Sequence, residues 1–539
     1  MKSDEQLSLG GGVGYVKRAK VPQVAKRYVL LLLVVVVMLG VFITFPTVDV
    51  AGKGAKIDKA LLGSSLSQKR GTTVNGTLCG KGIRQVSWSK YAPYCVPVWN
   101  GNNGGATSPG VTRSTITITY REPNTAGMGI MEKLFGSQMG TDQEAIDTMQ
   151  AYISLFNKTF ELYGRKVVLK PYAGKGDFIN ELQGQGLEQA QADSITAKNL
   201  QAFADVSLLS STQIYDQYLA GEHIISIGAI AQPQYWFQQF APYAYTPIDT
   251  CSIGVQAISV AMGRAMANLP AIFAGDPAFR QEKRSFGLIF PEDPTYASCG
   301  NELVNLVKEH YGIEFARVVE YKISLSDESS EALSDIAQMK ANGVTTVMCG
   351  CDPIFPLLLT LDAQNQNYYP EWMSLDFEDL FPQLYAPPEW ADAITSGLIL
   401  PPRVDQEAYR AYQLSGDKQV ISPQFAEIYA PLLLLFDALQ QAGPILNPYT
   451  FQQGFFSLPT SLPGGDYGKW QFGNNTFSPD ADFVILHWDA NAVSPEDGNK
   501  GTYVPCNNGQ RYPLSVQGAS QLPNNTQLGC PANQTKGPK

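Results

Sequence analysis

Histidine is nearly missing from this chain. Three occur in 539 residues, His223, His310 and His487, so a metal centre of several imidazoles would need all of them, and nothing around them has ligand spacing. Charge is thin as well: 16% of residues, 39 basic against 49 acidic, a net of −10. That balance excludes the basic face of a nucleic-acid binder. No serine sits in a GxSxG elbow, no GxxxxGK[ST] or strand-linked GxGxxG occurs, and no CxxC or histidine stands near the CGC at 349–351. A nucleophile needs an oriented base, and none can be assembled. The chain therefore reads as a protein without catalytic residues, metal or cofactor.

Cysteine is absent from the first 78 positions. Eight then follow: Cys79, Cys95, Cys251, Cys299, Cys349, Cys351, Cys506 and Cys530. An even count is expected of an oxidising compartment. Cys79 with Cys95 closes an N-terminal loop and Cys506 with Cys530 staples the tail. The middle four leave three possible pairings.

Charge is wholly absent from YVLLLLVVVVMLGVFITF, 28–45. Eighteen residues of helix span roughly 27 Å, near the lower bound for crossing a membrane. Lys2, Lys17, Arg18, Lys20, Lys26 and Arg27 precede it, which predicts a cytoplasmic tail at 1–27, a transmembrane anchor at 28–45 and all else extracytoplasmic, at a cell surface or in a periplasm. A cleaved signal peptide is the rival. Asp49, two residues before Ala51, spoils a small-x-small cleavage site, and no cysteine ends the run to accept lipid, which favours the anchor.

Beyond it, 46–113 is rich in Gly, Ser, Thr and Asn without sustained period, and reads as an extracytoplasmic tether with one disulfide loop. Strand and helix patterns then alternate. STITITY (114–120) is a strand, DTMQAYISLFNKTFELYG (147–164) a helix with apolar residues every three or four positions, and RKVVLKPYA (165–173) a strand. The pattern continues through LEQAQADSITAKNLQ, FADVSLL, STQIYDQYLAGE and HIISIGAI, and restarts after 241–252. FGLIFP, FARVVEYKIS and VTTVMCG read as strands between helices, ITSGLIL (394–400) and ADFVILHWD (481–489) as further strands, and FAEIYAPLLLLFDALQQAG (425–443) as a long helix. The fold class is α/β, with two parallel-sheet units whose strand ends face a cleft. The Asn-, Pro- and Gly-rich tail, 491–539, reads as a loop-rich C-terminal extension.

Several segments, taken in order, resemble the type I periplasmic solute-binding proteins, in particular the leucine/isoleucine/valine receptor-like branch that serves ABC importers. STITITYREPN resembles that family's opening strand and loop, and RSFGLIFPEDPTYASCGNEL (284–303) the element opening its second lobe. SDESSEALSDIAQMKANGVTTVMCG and IYAPLLLLFDALQQAG resemble its lobe-two helix and strand and its returning lobe-one helix. Ala297 and Thr345 stand where the family has Gly and Asp. The resemblance spans roughly 115–490 and implies a bilobal fold of two Rossmann-like lobes joined by a hinge of three crossings. Lobe 1 would be 114–245 and 395–455, lobe 2 246–394 and 456–490.

Candidate ligand contacts follow. Ser210 and Ser211, between a strand and a helix, fall at the family's ligand-carboxylate position; an ordinary helix cap is the plainer role. Ala229 and Ala231, with Gln232 and Gln234, fall where the family reads its ligand's backbone, and Tyr235 and Trp236 continue onto a cleft rim. Tyr296 corresponds to the family's lobe-two tyrosine. Glu122 is placed to receive an ammonium group, and Asp352 ends a strand after CGC. The expected activity is extracytoplasmic binding of a small amino-acid-, amide- or aromatic-acid-like solute for delivery to ABC permease subunits. The alternative is a membrane-tethered sensor or envelope scaffold on the same fold.

Overall fold

Both faces of the first long strand are covered, as in a parallel sheet rather than an exposed antiparallel one. β1 (Thr115–Glu122) buries Ile116, Ile118 and Tyr120 on one side and Thr117, Thr119 and Arg121 on the other. The computed structural model describes residues 58–124, 140–207, 210–229, 232–248, 250–324, 326–352, 354–374, 387–391, 393–397, 405–494, 500–515 and 529–530. The chain divides into Met1–Ala55 and Lys56–Lys539, and every described residue lies in the second unit.

After β1 come α1 (Asp142–Thr159), β2 (Lys166–Ala173), α2 (Phe178–Leu182), α3 (Leu187–Asn199) and β3 (Ala204–Asp205). They are followed by α4 (Gln213–Gly221), β4 (Ile225–Ile227), α5 (Gln234–Phe240) and β5 (Ala244–Tyr245). A capping box starts α1: Thr141 Oγ1 accepts from the Glu144 N–H at 3.1 Å, and Glu144 Oε2 from the Thr141 N–H at 2.8 Å. The five strands form one parallel sheet in the order β2-β1-β3-β4-β5.

The second lobe repeats this plan. It runs α6 (Cys251–Ala261), β6 (Phe286–Pro291), α7 (Pro294–Tyr311), β7 (Arg317–Tyr321), α8 (Glu328–Ala341), β8 (Thr346–Cys349), α9 (Phe355–Asn365), β9 (Glu371–Ser374) and β10 (Ala393–Gly397). Its parallel order, β7-β6-β8-β9-β10, is again second-first-third-fourth-fifth. The chain then returns to the first lobe as α10 (Glu407–Ser415), α11 (Phe425–Ala442) and α12 (Pro448–Phe456), where α10 and α11 pack on α1. It crosses back to add β11 (Asp482–Val493), antiparallel to β10, with β12 (Lys500–Pro505) and β13 (Arg511–Pro513) antiparallel to β11.

The strand within ITSGLIL thus belongs to the lobe-two sheet, and the described part of the tail extends that sheet with two strands. The segment QYWFQQF is helix α5, and PTYASCG is the first two turns of α7, with Asp293 accepting from the Thr295 N–H at 2.9 Å and Pro294 at the first helical position. The cysteines pair as Cys79–Cys95, Cys251–Cys299, Cys349–Cys351 and Cys506–Cys530.

One expectation is corrected. The proposed anchor at 28–45 lies outside the described residues, and among the described residues no helix is long and apolar enough to cross a membrane. The three 18-residue helices show why. α1 carries Asp142, Glu144, Asp147 and Lys158, α7 carries Glu302, Lys308 and Glu309, and α11 holds Glu427 and Asp437 and is buried by the protein itself. The transmembrane helix is therefore withdrawn from the fold class, and with it the membrane as a partner through that helix and the membrane-anchored location.

The segment read as a tether is packed structure from residue 58 on. Gln85, fully buried, donates to the Thr159 carbonyl at 2.9 Å and accepts from the Val96 N–H at 2.9 Å. At the end of α11, Gly443 has φ +87°, and a side chain there would collide with the Leu61 carbonyl; one at Gly63 would strike the Gln440 carbonyl. Buried Glu407 ties the segment to the first lobe, accepting from Ser89 Oγ at 2.6 Å, the Lys90 N–H at 2.7 Å and Tyr429 Oη at 2.8 Å. Glu407→Ala would leave three donors unpaired. It is expected to cost about 3 kcal/mol in denaturant unfolding and to speed limited proteolysis within 58–113.

Candidate functional site

Two sheets of the same strand order have their switch points beside the first strand of each lobe, where loops diverge and ligands bind in open α/β sheets. In the first lobe the loop after β3 leads through Ser210 and Ser211 into α4. In the second, β6 leads into α7, and β8 into Gly350, Cys351 and Asp352. These ends enclose a cavity of about 930 Å³ including its open mouth. Lobe 1 contributes Phe178, Leu182, Ser211, Thr212, Gln213 and Gln232. Lobe 2 contributes an apolar wall from Leu288, Phe290, Leu303, Ile323 and Met348, with Val255 of α6, Tyr296, Asp352 and cysteines of two disulfides. Among the described residues, side-chain bonds bridge the walls: Gln213 Nε2 donates to Thr295 Oγ1 at 3.0 Å, and Gln232 bonds the Tyr296 side chain.

A buried ionic cluster sets the lobe-1 wall. Arg121, at the end of β1, pairs with Glu181 of α2, reaches Asp193 of α3 at 3.0 Å, and lies 4.4 Å from the Tyr215 ring centre. Its Nη1 donates to the Ser210 carbonyl at 3.3 Å, while Glu181 also accepts from Thr212 Oγ1. One guanidinium thus fastens α2, which carries Phe178 and Leu182, to the start of α4. Arg121→Met would leave two buried carboxylates without their cation. It is expected to lower unfolding free energy by about 3–5 kcal/mol at neutral pH, with a smaller loss under acid conditions where the Glu181 carboxyl, raised by burial, protonates.

Ser211, Tyr296 and Asp352 line the cavity. Ser211 Oγ is committed to Asp216 at 2.7 and 2.9 Å, and burial pushes the Asp216 carboxyl up to about 7. Burial likewise raises the Tyr296 phenol. Asp352 Oδ2 accepts from Tyr321 Oη at 2.6 Å, and Oδ1 from the N–H groups of Ile354 and Phe355 at 2.8 and 3.2 Å. Ser210 is buried and donates to the Arg121 carbonyl at 2.6 Å. Ala229 is buried at the end of β4, and Ala231 lies outside the described residues. Trp236 packs against Phe237 and Phe240 inside α5, leaving Tyr235 53% exposed on its outer side. Glu122 is half-buried at the end of β1, its carboxyl raised by burial and by Asp142. None of Ser210, Ala229, Tyr235, Trp236 and Glu122 is among the lining residues. Sequence reasoning missed Thr212 and Gln213, which the helix start beside Ser211 could have signalled, and the walls Phe178, Leu182, Val255 and Leu303, which read as ordinary core.

Beneath Asp352 lies a second buried acid, Glu328, at the start of α8. Burial, with the Asp352 charge adding, pushes its carboxyl up to about 8, and its Oε1 accepts from the Ser324 N–H at 3.1 Å. A folded-state value above the ordinary 4.5 means that the folded chain holds the extra proton. The stability it contributes is full below about 4.5 and is lost as pH rises through about 8. Glu328→Gln is expected to flatten the fall in melting midpoint between pH 5 and pH 8, measured beside the parent chain.

Among the described residues no group of three or more His, Cys, Asp or Glu is placed to hold a metal ion. No family model matches the sequence, and no characterised protein sequence matches it either. Solved structures do. A fatty acid ABC transporter substrate-binding protein from Thermomonospora curvata aligns over 78% of this chain and 96% of its own, with a TM-score of 0.52 and 14% identity. An ABC transporter substrate-binding protein from Aeropyrum pernix aligns over 76% and 99%, at 0.53 and 10%. A leucine-, isoleucine-, valine-, threonine- and alanine-binding protein from Brucella ovis, in its closed conformation, aligns over 77% and 98%, at 0.51 and 14%. The chain has the bilobal fold of the type I periplasmic, ABC-transporter substrate-binding proteins, at a sequence distance where the likeness speaks for the fold alone.

Proposed function

We propose that this protein binds a small solute between its lobes, outside the cytoplasm, and delivers it to the permease of an ABC importer. The observation that carries the reading is the cavity itself, walled jointly by the carboxyl ends of two parallel sheets. Ligand binding there does its work by favouring one inter-lobe arrangement, which a partner then reads. The names of two of the matched structures, those from Thermomonospora curvata and Aeropyrum pernix, connect this fold with ABC transport, and four disulfides suit an oxidising compartment. Of the solute classes open to the sequence, an amide-like one suits these walls best.

The test is a thermal-shift screen of the oxidised protein against amino acids, amides, short peptides and aromatic acids. A ligand that binds only the folded chain must raise the midpoint with saturation. A rise of several degrees with one class is expected. A flat response, with mass spectrometry of the denatured protein showing no retained small molecule, would count against solute binding.

A further inference from the structure

Asp352 is the only charged side chain among the described residues lining the cavity, and its oxygens are already occupied by Tyr321 Oη and two backbone N–H groups. Those three bonds leave an entering ammonium group at most one acceptor position, on Oδ2, and Glu122, the other acid expected to receive one, lies off the cavity. An anion fares no better. No Lys, Arg or His is among those residues. The start of α4 offers N–H groups without intrahelical acceptors, but the charges behind it are unfavourable. Arg121 is paired with Glu181 and Asp193, and Asp216 sits in the first turn of the same helix. An ion without a counter-ion does not repay its desolvation in such surroundings. Apart from the neutral polar groups of Ser211, Thr212, Gln213, Gln232 and Tyr296, both sides are lined by apolar residues, with Phe178 and Leu182 on lobe 1, and Leu288, Phe290, Leu303 and Met348 on lobe 2.

We propose that the solute is uncharged, with an apolar body against the lobe-2 wall and a carbonyl, amide or hydroxyl group directed to the first turn of α4. This rests on the solute-binding reading above and narrows it away from zwitterionic amino acids and carboxylates.

Three probes on one eight-carbon skeleton isolate the charge: octanamide, octanoate and 2-aminooctanoate. Calorimetric titration of the oxidised, full-length chain is expected to show octanamide binding at least about tenfold tighter than either ion, since the carboxylate that both ions carry finds no cation among the described lining residues. The signal should vanish in Leu182→Trp, a half-buried lobe-1 wall position where a larger ring fills the cavity without entering the core. Octanoate or 2-aminooctanoate binding as tightly as octanamide would overturn the uncharged class and leave solute binding standing. Octanamide binding unchanged in Leu182→Trp would overturn the assignment to this cavity. If none of the three binds at millimolar concentration, the class proposed here falls. The amino-acid and aromatic-acid screen then decides the wider reading, which a charged ligand found there would preserve and a blank would overturn too.

Discussion

Parallel strands cannot be joined by a tight turn, so each must be followed by a crossover that returns along the face of the sheet. Everything else in this molecule follows from that constraint, applied twice. Helices cover both faces of β1 and of β6, leaving the loops at the carboxyl ends as the surface not committed to core. Because both lobes use the same strand order, their divergent loops occupy equivalent places. The chain crosses between the sheets at 246–250, between β10 and α10, and over 457–481. A backbone bond from the Thr246 N–H to the Phe477 carbonyl, 3.0 Å, holds the first and third crossings side by side.

The two walls of the cavity are fixed by different means. Lobe 2 relies mainly on apolar packing and disulfides, with Asp352 held by Tyr321 at one end. Lobe 1 relies on charge buried behind the wall: Arg121 between two acids, Asp216 under two serine hydroxyls, and Asp205 accepting from Thr119 Oγ1 at 2.6 Å and Tyr215 Oη at 3.1 Å. Such groups are costly to bury alone and rigid once satisfied. The serines placed at the site by sequence are therefore mostly holding the wall in shape.

Periodic segments were legible because burial imposes a period. In α1, Met149, Ile153 and Phe156 fall on one face, and the run FGLIFP is buried at every position as a central parallel strand must be. The segment 58–113 has no period because it is held by single anchors such as Gln85, Tyr91 and Cys95, so its composition looked like a linker. Trp236 was expected on the rim because it faces inward, with Phe237 and Phe240, only once helix α5 is formed. The cavity walls were the hardest to see, since Val255 and Leu303 differ from core residues only in what lies opposite them.

The N-terminal segment also reaches the third crossing. Tyr91 donates to the Gly468 carbonyl at 2.9 Å and accepts from the Tyr467 N–H at 2.7 Å, and its ring lies 4.4 Å from that of Trp470. Arg84 and Lys90 bond the same stretch, through the Thr460 carbonyl and the Leu462 N–H. The early part of this crossing is thus splinted to lobe 1. Any change of angle between the lobes has to be taken up beyond Trp470 and in the other two crossings, a shorter lever that restricts the arc through which the jaws can swing.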